Sequence, residues 1–264
     1  MTKNNAFSLV ELSIVLVILG LLTGGILTGQ SLIRASELRS ISTDLNRYVT
    51  ATQTFRDKYF ALPGDMRNAT AFWGTAANCP GTAAQPSTTA ATCNGDGNGI
   101  VIDISGNPNS NEIYRFWQHL ANAGLVEGTF TGVTGPGHVN YNSVNGWNVP
   151  RAKISNTGFS IYHWSSIDIS AAWAFEGSYG NVILVGTESA VTPNQGFFLR
   201  AEEMWNVDTK MDDGRPGLGK IVTYESHTSC HTATPSTTAA VAGTAEYALT
   251  NSTIGCAMVF RQAF

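Results

Sequence analysis

Twenty-two consecutive uncharged residues, Leu12 to Ile33, dominate the first part of this 264-residue chain and limit what it can fold into. At about 1.5 Å per residue, a helix over that run spans a hydrocarbon core of roughly 30 Å. A carboxylate, Glu11, stands at the head of the run. A charge beside such a segment is costly, so one kept there needs a job that a passive anchor does not provide. Met1 to Ala6 contributes only Lys3 and the amine. The run is also longer than the apolar core of a cleaved secretory signal, and it has no good small-residue exit site before Arg34.

The helical pattern continues past the apolar run. Leu38, Ile41, Leu45, Tyr48, Thr52, Phe55 and Tyr59 recur at steps of three or four, with Arg34, Glu37, Arg39, Asp44, Arg47, Arg56, Asp57 and Lys58 between them. This spacing draws one apolar stripe along a helix that first meets proline at Pro63. We therefore expect a single helix from about Phe7 to Phe60, roughly 80 Å long, whose C-terminal half carries a head. The expected divisions are residues 1–6 as a leader, 7–62 as the helix (7–33 membrane-spanning, 34–62 amphipathic) and 63–264 as the head.

The head has about 200 residues, enough for a substantial core. The chain is mildly acidic, with a formal charge of −4, and has no Lys/Arg cluster. That composition argues against direct nucleic-acid binding. Strands are expected at 100–104, 159–164, 182–185, 221–224 and 257–260, mostly alternating in polarity, as in an antiparallel sheet with one covered face. Two helices are expected beside them. One runs from Asn111 to Ala123, with Ile113, Phe116, Trp117 and Leu120 on one side and Gly124 at its end. The other starts at Thr192-Pro193 and runs to about Asn206, burying Phe197, Phe198, Ala201 and Trp205. The fold class is α+β.

Cys79, Cys93, Cys230 and Cys256 bracket two segments rich in Thr, Ala, Pro and Ser, which have little to bury. Sequence permits three connectivities. We expect nearest-neighbour pairing, Cys79 with Cys93 and Cys230 with Cys256, in an oxidising compartment. Cys230 suits that role better than zinc ligation with His227 and His231. No nucleophile elbow, phosphate-binding loop or zinc-protease motif occurs, so an enzyme is not expected.

Two oxygen-rich loops are candidate calcium sites. Asn94, Asp96 and Asn98 alternate with glycines like the first half of an EF-hand loop, but Ser105 stands where the bidentate Glu belongs. Asp103 or Glu112 would have to complete that site. In the second loop, Asp208, Asp212 and Asp213 cluster just after an expected helix.

A short polar leader followed by Ala6-Phe7-Ser8-Leu9-Val10-Glu11-Leu12 and an apolar helix resembles the N-terminus of type IV pilins and type II secretion pseudopilins. The resemblance implies a pilin-like head on the long helix. It also implies cleavage between Ala6 and Phe7 by a prepilin peptidase, N-methylation of Phe7, and a role for Glu11 in assembly. The implied location is the bacterial inner membrane with the head in the periplasm, followed by a filament built with other pilin or pseudopilin subunits on an inner-membrane assembly platform. Gly20 fits the small residue often found early in the family helix. Ala6 departs from the usual Gly before the cut. Thr28 stands where many pilins carry Pro, and Gly24, Gly25 and Gly29 offer another way to loosen the helix. The loop at Asp208 broadly resembles the calcium loop of the major pseudopilin. The implied function is a structural subunit, minor or specialised, of a type IV pilus-like filament. The alternatives are a minor pseudopilin of a type II secretion system and a tip adhesin carried on a pilin anchor.

Overall fold

In the computed structural model the described residues are 9–76, 79, 90–102, 112–135, 142–165, 174–188, 193–224, 228–233 and 239–264. The expected long helix is present as α1, Leu9–Tyr59, unbroken over 51 residues. It runs unbroken through Gly24, Gly25 and Gly29, and the Thr28 hydroxyl there donates to the Gly24 carbonyl at 2.9 Å. Further elements are α2 (Ala69–Trp73), α3 (Glu112–Asn122), β1 (Thr157–Trp164), β2 (Gly180–Thr187), α4 (Ala201–Met211), β3 (Ile221–Tyr224), α5 (Ala239–Thr244) and β4 (Ala257–Phe260). The four strands form one antiparallel sheet in the order β1-β2-β4-β3. The architecture is a pilin-like α+β fold.

The amphipathic half of α1 packs on this sheet through the expected stripe. Ile41, Leu45, Tyr48, Thr52 and Phe55 are buried, together with Ser40 and Ala51. Tyr48 is the hinge of the packing. Its ring meets Trp117 of α3 edge-on at 4.9 Å and Phe159 of β1 at 5.0 Å, so helix, second helix and sheet share one aromatic contact. Helix α3 contributes Ile113, Phe116, Trp117 and Leu120 to the core as expected, and Gly124 follows it at φ +74°. All residues from Glu112 to Leu120 are buried, so polar Arg115, Gln118 and His119 also need internal partners. The His119 imidazole has them: Nδ1 accepts from the Gly64 amide at 2.9 Å, and Nε2 lies 2.9 Å from the Thr92 hydroxyl. Burial and the neighbouring Arg115 charge push it down to about 3, so it is held neutral. Gly64 itself sits at φ +82°, and a Cβ there would strike the Glu112 carbonyl. Only glycine fits that turn after α1.

Three expectations need correction. The sheet is covered on both faces, not one. Ile183 and Val185 of β2 face the helices, while Val182 and Leu184 join Val222, Val259 and Tyr179 on the other side. The unbroken Val-Ile-Leu-Val run of β2 is the sequence form of a strand buried on both sides. Residues 100–102 form no strand, although Val101 is buried and its amide donates to the Asn181 carboxamide, and 103–104 lie outside the described residues. Finally, α4 begins at Ala201, well after the expected start at Pro193 (Thr192 lies outside the described residues). The segment before it is taken up by sheet-like hydrogen bonds. Phe198 and Leu199 amides both donate to the Cys256 carbonyl, and Gly196 bridges Thr187. The later start changes the buried face. Met204 and Val207 pack inward with Ala201, whereas Trp205 is 38% exposed.

Candidate functional site

The outer half of α1 is a site by virtue of what it lacks. Leu9, Leu16, Ile18, Leu22 and Ile33 are all more than half or about half exposed, and no residue from 9 to 33 is buried by the head. It is the one candidate membrane span among the described residues. Glu11 lies in the first turn of this apolar rod. Ala6 and Phe7, the expected cleavage and methylation residues, lie outside the described residues.

The boundary between the halves carries a clamp that sequence reading did not find. Arg34, the first charge after the apolar run, donates from Nε and Nη2 to Glu203 Oε1 and Oε2 of α4, at 2.6 and 2.8 Å. It also donates to Glu37 at 3.1 Å and to the Phe198 carbonyl at 3.3 Å. Glu203 in turn accepts from the Arg200 amide at 3.0 Å, closing the first turn of α4. Burial pushes the Glu203 carboxyl up, but the Arg34 and Arg200 hydrogen bonds outweigh it and hold the carboxyl below its usual range. A planar guanidinium bound by two parallel bonds fixes direction as well as distance, so the head is held at a set angle where the rod leaves it.

Two groups of carboxylates are brought together in the head. The first is Asp65, Asp96 and Glu112, whose oxygens lie within 4.8 Å of one another. Of the expected trio only Asp96 belongs to it. Asn94 instead receives the Thr70 amide, and Asn98 donates to the Asp96 carboxylate while receiving the Ile100 amide. Glu112 completes the group, as sequence allowed, and Asp103 lies outside the described residues. Asp65 was missed, because it follows the Pro63-Gly64 turn about 30 residues upstream. Its carboxylate accepts the Asn98 and Gly99 amides at 3.0 and 2.9 Å. Burial, with the nearby Asp65 and Asp96 charges, pushes Glu112 up to about 7 against the pull of the Asp96 amide.

The second group is Asp208, Asp212 and Asp213, as expected. Asp212 accepts the Lys220 and Ile221 amides, and Asp213 accepts the Arg215 amide at 2.8 Å. Gly219, at φ +67°, leaves room for the Asp212 carboxylate, which a Cβ there would strike. Asp208 differs from its neighbours because it is fully buried. Its Oδ2 accepts from the Tyr247 hydroxyl at 2.7 Å, while Oδ1 has no hydrogen-bond partner. The Gly214 amide pulls on this carboxylate without reaching hydrogen-bond geometry. Burial pushes Asp208 up to about 7, and the Asp212 and Asp213 charges add to the effect.

The disulfides join Cys79 to Cys93 and Cys230 to Cys256, with Cα atoms 5.4 and 5.1 Å apart, in the nearest-neighbour arrangement. The second holds Cys256 against Leu199, just before α4. No catalytic constellation was expected, and the recurring chemistry of these sites is ion pairing and carboxylate anchoring.

Residues 1–27 match the family model described as the prokaryotic N-terminal methylation motif. No curated protein and no solved structure matches the chain. The motif covers residues 1–6, Glu11 and most of the exposed half of α1. The chain thus bears the N-terminal signature of type IV pilins and pseudopilins, with two disulfides, on a pilin-like α+β fold.

Proposed function

We propose that this chain is a structural subunit, minor or specialised, of a type IV pilus-like filament. A prepilin peptidase cuts it between Ala6 and Phe7, Phe7 is N-methylated, and the head faces the periplasm until assembly. The observation that carries the reading is the exposed apolar half of α1 with Glu11 at its head. In lipid this half is solvated. In a filament it packs against the same half of other subunits, in a low-dielectric core where the Glu11 carboxylate requires a cation. The Phe7 amine of a neighbouring subunit supplies one and sets the axial stagger. Leaving Glu11's partner charge buried and alone costs about 3–5 kcal/mol per contact. Glu11→Ala is therefore expected to insert and be processed normally but to be missing from sheared filaments. Normal incorporation of that variant would overturn the reading. The minor pseudopilin of a type II secretion system uses the same machinery and differs in the assembly platform it engages.

A second reading, calcium held by the Asp208 loop, rests on the buried, unpartnered Asp208 Oδ1 beside Asp212 and Asp213. A hard divalent cation there would use oxygen donors of this kind and give the orphaned oxygen a partner. Millimolar calcium is expected to raise the melting temperature, and Asp212→Ala with Asp213→Ala to abolish the rise. No shift in the parent protein would refute it.

A further inference from the structure

At the end of α1 farthest from its apolar half lies a cleft of about 1030 Å³, lined by residues that include Arg56, Asp57, Phe60, Asp65, Arg67 and Asn68. We propose that this cleft binds a neutral oligosaccharide, which would make the subunit a ligand-binding member of its filament.

The first support is Phe60. It is 93% exposed and sits at φ +52°, with its amide donating to the Arg56 carbonyl at 2.8 Å. That is the left-handed residue that ends a helix, a position normally given to glycine because a side chain there is strained. Placing a bulky apolar ring at such a position, in water, is unfavourable twice over, and no ring contact to it occurs among the described residues. Strain and exposed apolar area coincide at the cleft rim, where a bound ligand would cover the ring. Tyr59 lines the same cleft, and exposed Phe72 lies 5.2 Å from its ring, edge-on.

The second support is the polar lining. Arg56, Asp57 and Asn68 are exposed, and among the described residues their side chains have no hydrogen-bond partner. The named side chains of the lining carry two cations, Arg56 and Arg67, and two carboxylates, Asp57 and Asp65. With Asp96 and Glu112 beside Asp65 the surroundings hold no positive field to gather a polyanion, while Arg56, Asp57 and Asn68 offer open donors and acceptors. Sugar rings match that surface. Their hydroxyls donate to carboxylates and accept from guanidinium and carboxamide groups, and their C–H faces lie flat on aromatic rings. A peptide strand would call for a more apolar groove or a free sheet edge. The proposal does not depend on the assembly reading, because it concerns the opposite end of the molecule.

The test uses the full chain in detergent micelles, passed over immobilised tetrasaccharides of neutral hexose and of N-acetylhexosamine, a heparin fragment, and a pool of unstructured decapeptides. Saturable binding to a neutral tetrasaccharide is expected, weakened about tenfold or more in Phe60→Gly and in Arg56→Ala with Asn68→Ala. Phe60→Gly separates binding from folding. It relieves the left-handed strain, so its melting temperature is expected to equal or exceed the parent's while binding falls. Four results would overturn the proposal: no binding to either neutral sugar, binding confined to heparin or to peptides, unchanged sugar binding in Phe60→Gly, or a loss of binding that tracks a loss of stability.

Discussion

The two halves of α1 are one continuous helix with opposite relations to the rest of the molecule. Beyond Glu11, residues 12–33 are uncharged and apolar on every side, and the head buries none of residues 9–33. Residues 34–59 are apolar along one stripe, and that stripe is sealed against α3, α4 and the sheet. The difference shows how sequence encodes the partner. An all-round apolar surface needs an apolar solvent, whether lipid or copies of itself, whereas a single stripe needs one fixed face. The head-packed half therefore completes its structure within the chain, and the outer half completes it outside.

The largest way to break this contrast is to cut a side chain from each half. Phe55 is fully buried among Tyr59, Trp73 and His119. Phe55→Ala is expected to destabilise the head by about 3–5 kcal/mol, read by denaturant unfolding in micelles. Leu16→Ala, in the outer half, is expected to leave that transition where it is. If both variants shifted it equally, the halves would not be independent. Nearly as large is the loss of the shelf beneath α4. Replacing Cys230 and Cys256 by Ala opens a loop closed across 26 residues, which is expected to cost roughly 3.5 kcal/mol in the chain-entropy model. Because Cys256 positions Leu199 ahead of α4, this double variant should also loosen the contact that α4 makes with α1. Hydrogen exchange over residues 34–45 would detect that loosening, and unchanged protection there would argue that α4 is held independently.

Much of this contrast is visible in the sequence, for physical reasons. The stripe from Ile41 to Phe55 and the inward side of α3 are local periodicities, and both are present as read. The disulfide pairing follows the shortest loops. Trp205 misled the reading because its burial depends on where α4 starts, and Leu199 is drawn into pairing with Cys256, 57 positions away. Asp65 was invisible for a similar reason, since only the fold of the turn at Gly64 brings it beside Asp96 and Glu112. Arg34 read as an ordinary charge ending an apolar run, because nothing near it in sequence names Glu203 as its partner.

A smaller effect singles out the head-packed half by pH. His119 stacks on Phe55 and is pushed down to about 3, from an ordinary value of 6.5. Between those values the unfolded chain takes up a proton that the folded chain refuses. Stability is therefore complete above about pH 6.5 and is lost as pH falls, by at most about 1.4 kcal/mol per pH unit. Glu112 and Asp208 act in the opposite direction over part of that range, since each is held up to about 7 in the fold. The measurement is therefore a difference: the pH profile of the parent minus that of His119→Gln. A difference that grows as pH falls from 6.5 to 5 supports the assignment. A flat difference would mean that the imidazole is solvated in the folded chain.

The smallest expected effect lies at the border of the two halves. The Arg34–Glu203 pair is partly exposed, with side chains 32% and 18% accessible, so its contribution to stability is screened to about 1 kcal/mol. Its role in orientation is larger than that figure suggests, because the clamp is the first polar contact after the rod leaves the apolar region. The Glu203 carboxyl is held below its ordinary value of 4.5, so the pair contributes above that value and is lost as pH falls through the lower folded one. Arg34→Ala and Glu203→Gln, alone and together, form a cycle whose coupling is expected to be about 1 kcal/mol in unfolding. The two single variants are also expected to broaden the distribution of distances between spin labels at positions 27 and 249, one on the rod and one on the head, while Phe55 and its neighbours stay packed. If the coupling vanished and the distances stayed sharp, the angle between rod and head would be set by the stripe alone, and the border between the halves would be only a change of solvent.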